Sequence, residues 1–259
     1  MKASRWPYFD ARFIALAHRG GALLPLNVGH ENTMVAFHNA VSLGYRYLET
    51  DVHVTSDGHL VAFHDSTLDR VTDRTGRIAE LTLDQVREAS IGTEQVPTLQ
   101  ELLEAFPQVN INIDIKASGA EKPLASLLRH HAAEERVCVG SFSQTRLHRF
   151  RLASGGRVAT SCGPVGVSAG VLAARLGHGP APIGAAFQVP IRHELAGRTV
   201  QVVTPEFIRR AHAWGKQVHV WTIDDPQQMD ELIDWGVDGL VSDRPDLLKE
   251  VLQRRGMWD

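Results

Sequence analysis

The chain has 259 residues, 43% apolar and 22% charged, with a formal net charge of -3. That length fits one large α/β barrel or two small domains, and the composition suits a soluble protein with a sizeable core. The near-neutral balance excludes a global pull toward nucleic acid, and no run approaches the ~18 apolar residues of a membrane span, so no stable membrane insertion is expected.

Near the N-terminus, "FIALA" is too short for a signal-peptide core and follows a charged arm, so a cytoplasmic protein is expected. "FIALAHRG" (13–20) reads as a strand. "ENTMVAFHNAVSLG" (31–44) reads as a helix, with Asn32 or Thr33 near its N-cap and Gly44 closing it. "YRYLETDVHVT" (45–55) is a strand, and "DGHLVAFHD" (57–65) returns as a second extended piece after the hairpin signal Asp57-Gly58. Residues 66–97 are polar, with one short helical patch at "TLDQVREAS", and read as an insertion after the second strand.

Regular alternation then resumes. Strands are expected at "NINIDIK", "RVCVGSF", "RVATSC", "GAAFQVP", "KQVHVWTI" and "VDGLVSD", with amphipathic helices between them and a further extended piece at "RTVQVV". Cys138 and Cys162 sit in apolar stretches without metal-site spacing and read as buried, reduced thiols. Repeated strand–helix alternation implies a parallel sheet, because parallel neighbours need crossovers. About eight such units in one chain predict a single-domain (β/α)8 TIM barrel over residues 1–259, carrying a small insertion at 66–97. No Gly-rich dinucleotide fingerprint follows the first strand, which argues against the open, doubly wound alternative.

In such a barrel the reactive groups gather at the C-terminal ends of the strands. His18 and Arg19 end strand 1, Glu49 and Asp51 lie late in strand 2, and Asp114 and Lys116 end strand 3. Ser141 ends strand 4, Trp221 lies late in strand 7, and Asp243 follows strand 8. Strand side chains alternate faces, so Glu49 pairs with Asp51 on one face and Asn112, Asp114 and Lys116 share another. Three carboxylates inside a barrel repel one another unless their pKa values rise or a cation joins them. Oxygen ligands favour Mg²⁺ or Ca²⁺; the alternative is a salt-bridge network neutralised by Lys116 and Arg19.

His18 and His64 each end an extended segment and form a candidate acid–base pair. Arg19 and Lys116 suit an anionic phosphoryl group. Ser141 lacks a nucleophile elbow and reads as a strand-end hydrogen-bonder. Asp243 is expected to cap the last helix around "RPDLL", the alternative being that it holds another residue of the site. His53 is expected near the rim, with substrate contact or solvation equally open.

"AHRGG", "HENTMVAF", "ETDVHVTSDGHLVAFHDSTLDRVT", "VPTLQELLE", "NIDIK", "SFS", "VHVWTID" and "GLVSDRPD" occur in this order. The set resembles glycerophosphodiester phosphodiesterases over about residues 14–252. The resemblance implies hydrolysis of a small-molecule glycerophosphodiester to glycerol 3-phosphate and an alcohol. It implies His18 and His64 as general acid and base, and Glu49, Asp51 and Asp114 around one divalent cation. Arg19 and Lys116 would contact the phosphate, and Trp221 would line the pocket near the alcohol. The chain departs from the family pattern in a longer loop, "GALLPLNVG", before His30, and in Asp114 where Glu is usual. A lysophospholipase D or sphingomyelinase D activity on larger lipids is the alternative activity, and a non-catalytic phosphate- or lipid-binding barrel the alternative class.

Overall fold

The computed structural model describes residues 1–195 and 197–258. In chain order the elements are β1 (Ile14–Ala17), α1 (Met34–Ser42), β2 (Tyr47–Val54), β3 (Leu60–Ala62), α2 (Leu83–Arg87), β4 (Ser90–Ile91), β5 (Glu94–Gln95), α3 (Leu99–Ala105), β6 (Asn110–Ile115), α4 (Glu121–His130) and β7 (Val137–Gly140). They continue with α5 (Gln144–Ala153), β8 (Ala159–Thr160), α6 (Pro164–Leu176), β9 (Ala186–Pro190), β10 (Arg192–Leu195), β11 (Arg198–Gln201), α7 (Pro205–Ala213), β12 (Gln217–Trp221), α8 (Pro226–Trp235), β13 (Gly239–Ser242) and α9 (Pro245–Arg254).

The parallel strands run β8-β7-β6-β2-β1-β13-β12-β9. A parallel bridge between Ser161 and Ala186 joins the two ends, with Cys162 N–H donating to Ala186 O (2.7 Å) and Ala185 N–H to Thr160 O (2.7 Å). The predicted TIM barrel is therefore the observed architecture. Its strands are apolar on both faces for most of their length, as parallel strands must be when helices cover them. Leu48, Val52, Ile111, Ile113, Ile115, Val218 and Val220 face outward into the layer shared with the helices. Ile14, Leu16, Tyr47, Cys138, Ala159, Ala186 and Val241 belong to a separate inner cluster.

The N-terminal residues close the lower end of that inner cluster. Tyr8 is wholly buried there, and Tyr47 Oη donates to Tyr8 O (2.8 Å). Tyr8 meets the Phe9 and Tyr47 rings edge-on, at 4.9 and 5.3 Å between centroids. Higher in the barrel the interior is polar: Gln188 Nε2 donates to Asn112 Oδ1 (2.7 Å), and His219 lies 2.9 Å from Gln217 Oε1. Burial pushes the His219 imidazole down to about 4, so it stays neutral inside the protein.

Local structure follows the sequence signals with a few shifts. Asp57-Gly58 turns the chain so that β3 pairs antiparallel with β2, Val52 opposite Ala62, and Gly58 takes the positive φ (91°) that its turn requires. Thr33, not Asn32, caps α1, accepting from Ala36 N–H (3.3 Å). The extended piece at "RTVQVV" is no barrel strand: β11 pairs antiparallel with β10 as a hairpin. Residues 66–97 build their own small core, in which Leu68, Ile78, Val86, Ala89, Ile91 and Val96 pack with Val61 and Phe63. Both cysteines are unpaired and buried, and burial pushes the Cys162 thiol up to about 11.

Candidate active site

The upper mouth collects the polar ends of the strands. After β1 the chain tightens into a turn at His18–Gly20, with Arg19 at φ 52°. Gly20 is required there, because a Cβ would lie 2.9 Å from the Ala36 backbone. Asn27 Nδ2 donates to Gly20 O (2.9 Å) and Gly21 O (3.1 Å) and fixes the turn from below. His18 Nδ1 lies 2.8 Å from Asp243 Oδ1, while Nε2 turns toward Glu49 Oε2 at 3.8 Å. Burial works against a charged ring, but Glu49 and Asp243 outweigh it and raise the His18 pKa.

Asp243 therefore does not cap the last helix; no side chain caps α9. Its carboxylate orients His18 instead. Asp243→Asn should lower kcat by about 10²–10³-fold with KM little changed, because Asn can accept from Nδ1–H but cannot stabilise a charged imidazole. Steady-state kinetics with a glycerophosphodiester check this.

His64 stands across the mouth at the end of the β3 segment. Its Nδ1 lies 2.5 Å from Asp65 Oδ1. His53 is not a rim residue: it is 5% exposed, and its Nε2 lies 3.0 Å from His64 O. It props the backbone beneath His64, and burial lowers its pKa.

Between the histidines lie the acids of β2 and β6, which pair in register, Glu49 with Asn112 and Asp51 with Asp114. Lys116 Nζ bridges Asp51 Oδ1 (2.9 Å) and Asp114 Oδ2 (2.7 Å). Arg19 Nε approaches Asp51 Oδ2 at 3.3 Å. The neutralising network read as an alternative from the sequence is thus present around Asp51. Burial alone would raise the Asp51 pKa, but Lys116 and Arg19 hold it below the ordinary carboxylate range. Asp114 and Asp51 in turn raise Lys116 against the effect of burial, so its amine stays protonated.

Glu49 and Asp114 are less well served. Burial and the neighbouring Asp51 push Glu49 up to about 7, and burial raises Asp114. Asp114 Oδ1 is buried without a hydrogen-bond partner. Among the described residues no three acids, histidines or cysteines are already closed around an ion position. The donor chemistry nevertheless fits a hard cation: carboxylate oxygens, one of them, Asp114 Oδ1, buried and unpartnered.

Several site residues went unassigned in the sequence. Asn32, at φ 56°, donates to Asp51 Oδ2 (3.1 Å) and accepts from Thr50 Oγ1 (2.8 Å). Glu31 accepts from Arg19 Nη1 (3.0 Å) and from both terminal nitrogens of Arg70 (2.9 and 2.7 Å). A local signal existed for Asp65, which follows His64 directly. Ser141 behaves as expected, donating to Ile115 O (2.7 Å). Trp221, half-buried, meets the exposed Phe142 ring edge-on at 5.5 Å, and Lys116 Nζ stands 5.3 Å from the same ring. The sequence-derived candidates His18, Arg19, Glu49, Asp51, Asp114, Lys116 and Trp221 are thereby connected at one mouth, with His64 beside them.

Fold and site together define a parallel-barrel enzyme whose mouth sets fixed cations beside two carboxylate-backed histidines. Residues 18–247 match the model of the glycerophosphoryl diester phosphodiesterase family. The chain is 41% identical to "Probable glycerophosphodiester phosphodiesterase 2" of Mycobacterium tuberculosis, over 95% of this chain and 93% of that protein. Among solved structures, a glycerophosphodiester phosphodiesterase of Agrobacterium tumefaciens superposes with a TM-score of 0.73 at 23% identity, covering 91% of this chain and 98% of that one. An Oleispira antarctica phosphodiesterase in complex with its product sn-glycerol-3-phosphate superposes with a TM-score of 0.74 at 21% identity, covering 98% and 100%. The chain belongs to the glycerophosphoryl diester phosphodiesterase family.

Proposed function

We propose that this enzyme hydrolyses glycerophosphodiesters to glycerol 3-phosphate and an alcohol, with His18 and His64 exchanging the protons. The observation that carries the reading is the matched pair of imidazoles. Each Nδ1 is held by a carboxylate, at 2.8 Å for His18 and 2.5 Å for His64. A carboxylate at Nδ1 fixes the tautomer and leaves Nε2 for the substrate. The product bound by the Oleispira antarctica neighbour supports the glycerol phosphate assignment.

Arg19 and Lys116 bind the phosphate oxygens and offset the charge that develops in the transition state. One imidazole takes the proton of the attacking oxygen as it bonds to phosphorus; that oxygen is either water's, giving glycerol 3-phosphate directly, or the neighbouring glycerol hydroxyl's, giving a cyclic phosphate that water then opens to glycerol 3-phosphate. The other returns a proton to the alcohol oxygen as its bond to phosphorus breaks. Glu49, Asp51 and Asp114 would hold one divalent cation, Mg²⁺ or Ca²⁺, which supplies further positive charge to the phosphoryl oxygens when bound. Trp221 would line the side of the pocket that receives the alcohol.

Incubation with glycerophosphocholine and, separately, with lysophosphatidylcholine tests the reading. Glycerol 3-phosphate and choline should appear from the first in the presence of Mg²⁺ or Ca²⁺, and EDTA should stop their release. Lysophosphatidic acid formed faster from the second would move the assignment to a lysophospholipase D. No release from either would leave only a binding function.

A further inference from the structure

The 66–97 segment places one side chain against the site. Arg70 Nε donates to Asp65 Oδ2 (2.5 Å), and its Nη1 and Nη2 donate to Glu31 Oε2 (2.9 Å) and Oε1 (2.7 Å). Asp65 holds His64 Nδ1, and Glu31 Oε1 also accepts from Arg19 Nη1 (3.0 Å). One guanidinium therefore stands behind both a histidine and an arginine on the two sides of the mouth. The chain of contacts His64–Asp65–Arg70–Glu31–Arg19 is continuous.

The segment that carries Arg70 is anchored. Leu68, two residues earlier, is buried in the small core. Thr72, two residues later, is tied back by its Oγ1 donating to Leu68 O (2.8 Å). A second seam runs alongside, where His30 fills the space above Gly92; a Cβ there would lie 2.5 Å from His30 Nε2.

We infer that Arg70 is a positioning residue that sets the orientation of His64 through Asp65 and of Arg19 through Glu31. This rests on the reading of His64 and Arg19 given under the proposed function. A merely stabilising role is disfavoured, because the Arg70 side chain is 47% exposed and its ion pairs contribute little to stability at that exposure. The planar fork is what the arrangement uses: its three nitrogens serve two carboxylates at fixed angles, Nη2 reaching both Glu31 Oε1 (2.7 Å) and Asp65 Oδ1 (3.4 Å). Without it, two carboxylates lose their shared partner, and a small misplacement at a reacting centre is costly in rate.

Arg70→Ala should lower kcat/KM for glycerophosphocholine by about 10²-fold while the melting temperature stays within a few degrees. Arg70→Lys, which keeps the charge but not the fork, should recover only a minor part. Millimolar guanidinium chloride should restore much of the Ala variant's activity, since the vacated site opens to solvent, whereas equimolar sodium chloride and urea should not. The ring ¹⁵N signals of His64, assigned with His64→Gln, should move in Arg70→Ala without substrate and return with guanidinium. Wild-type kinetics together with an unmoved His64 ring in Arg70→Ala would overturn the inference, as would full recovery by Lys. If the wild-type protein cleaves no glycerophosphodiester, the functional reading fails, and the His64 ring signals still decide the role of Arg70.

Discussion

His64→Ala and His18→Ala should each lower kcat by about 10²–10⁴-fold, the usual worth of a general acid or base, with the protein still folded. The size follows from the wiring of each ring. Nδ1 is committed to Asp65 or Asp243, so a single nitrogen remains for the reaction, and no neighbouring imidazole replaces it. His53 is buried against the His64 carbonyl, and His219 lies neutral in the barrel interior. KM should change little, because the proposed phosphate ligands Arg19 and Lys116 are left in place. Circular dichroism and initial-rate kinetics measure both quantities. Wild-type turnover in either variant would remove that histidine from the mechanism.

Asp51→Asn should abolish measurable turnover together with the response to divalent metal. Asp51 is 1% exposed and is shared by Lys116, Arg19 and Asn32. Its charge is shared by two half-buried cations, so removing it takes one of two carboxylate partners from each, leaving Arg19 with Glu31 and Lys116 with Asp114. Breaking a buried pair in this way costs about 3–5 kcal/mol of stability. The variant should therefore melt well below the wild type. Millimolar Ca²⁺ or Mg²⁺ should raise the wild-type melting temperature by binding the folded state and leave that of the variant unmoved. An equal thermal response in the two proteins would contradict the assignment of Glu49, Asp51 and Asp114 to a cation. That test needs no turnover, so it separates metal binding from catalysis.

The barrel was legible in the sequence because its physics is periodic. Helical faces repeat at 3.6 residues and strand faces at 2, and both rhythms survive in a linear string. For the same reason Glu49, Asp51, Asp114 and Lys116 stood out as polar side chains on faces that should be apolar. What escaped was aperiodic. Glu31, Asn32 and Arg70 lie in connecting segments, and their partners are fixed only when the chain folds. Arg70 meets Glu31 across thirty-nine positions, and Asp243 meets His18 across two hundred and twenty-five. Asp243 resembled a helix cap because it precedes "RPDLL", and the local pattern contains nothing that reveals a distant imidazole. The "RTVQVV" segment shows the opposite failure. Its extended character was visible, but not that it pairs with β10 outside the barrel.

The aromatic plug at the foot of the barrel bears on traffic. With Tyr8, Phe9 and Tyr47 packed there, side chains fill the foot of the barrel among the described residues. For the proposed reaction the mouth is then the way in and out. Substrate, alcohol and phosphate must pass the same opening in turn, so each departing fragment clears the path for the next arrival. On the proposed function, the order of departure then falls to the mouth itself, where Trp221 would face the alcohol and Arg19 and Lys116 the phosphate.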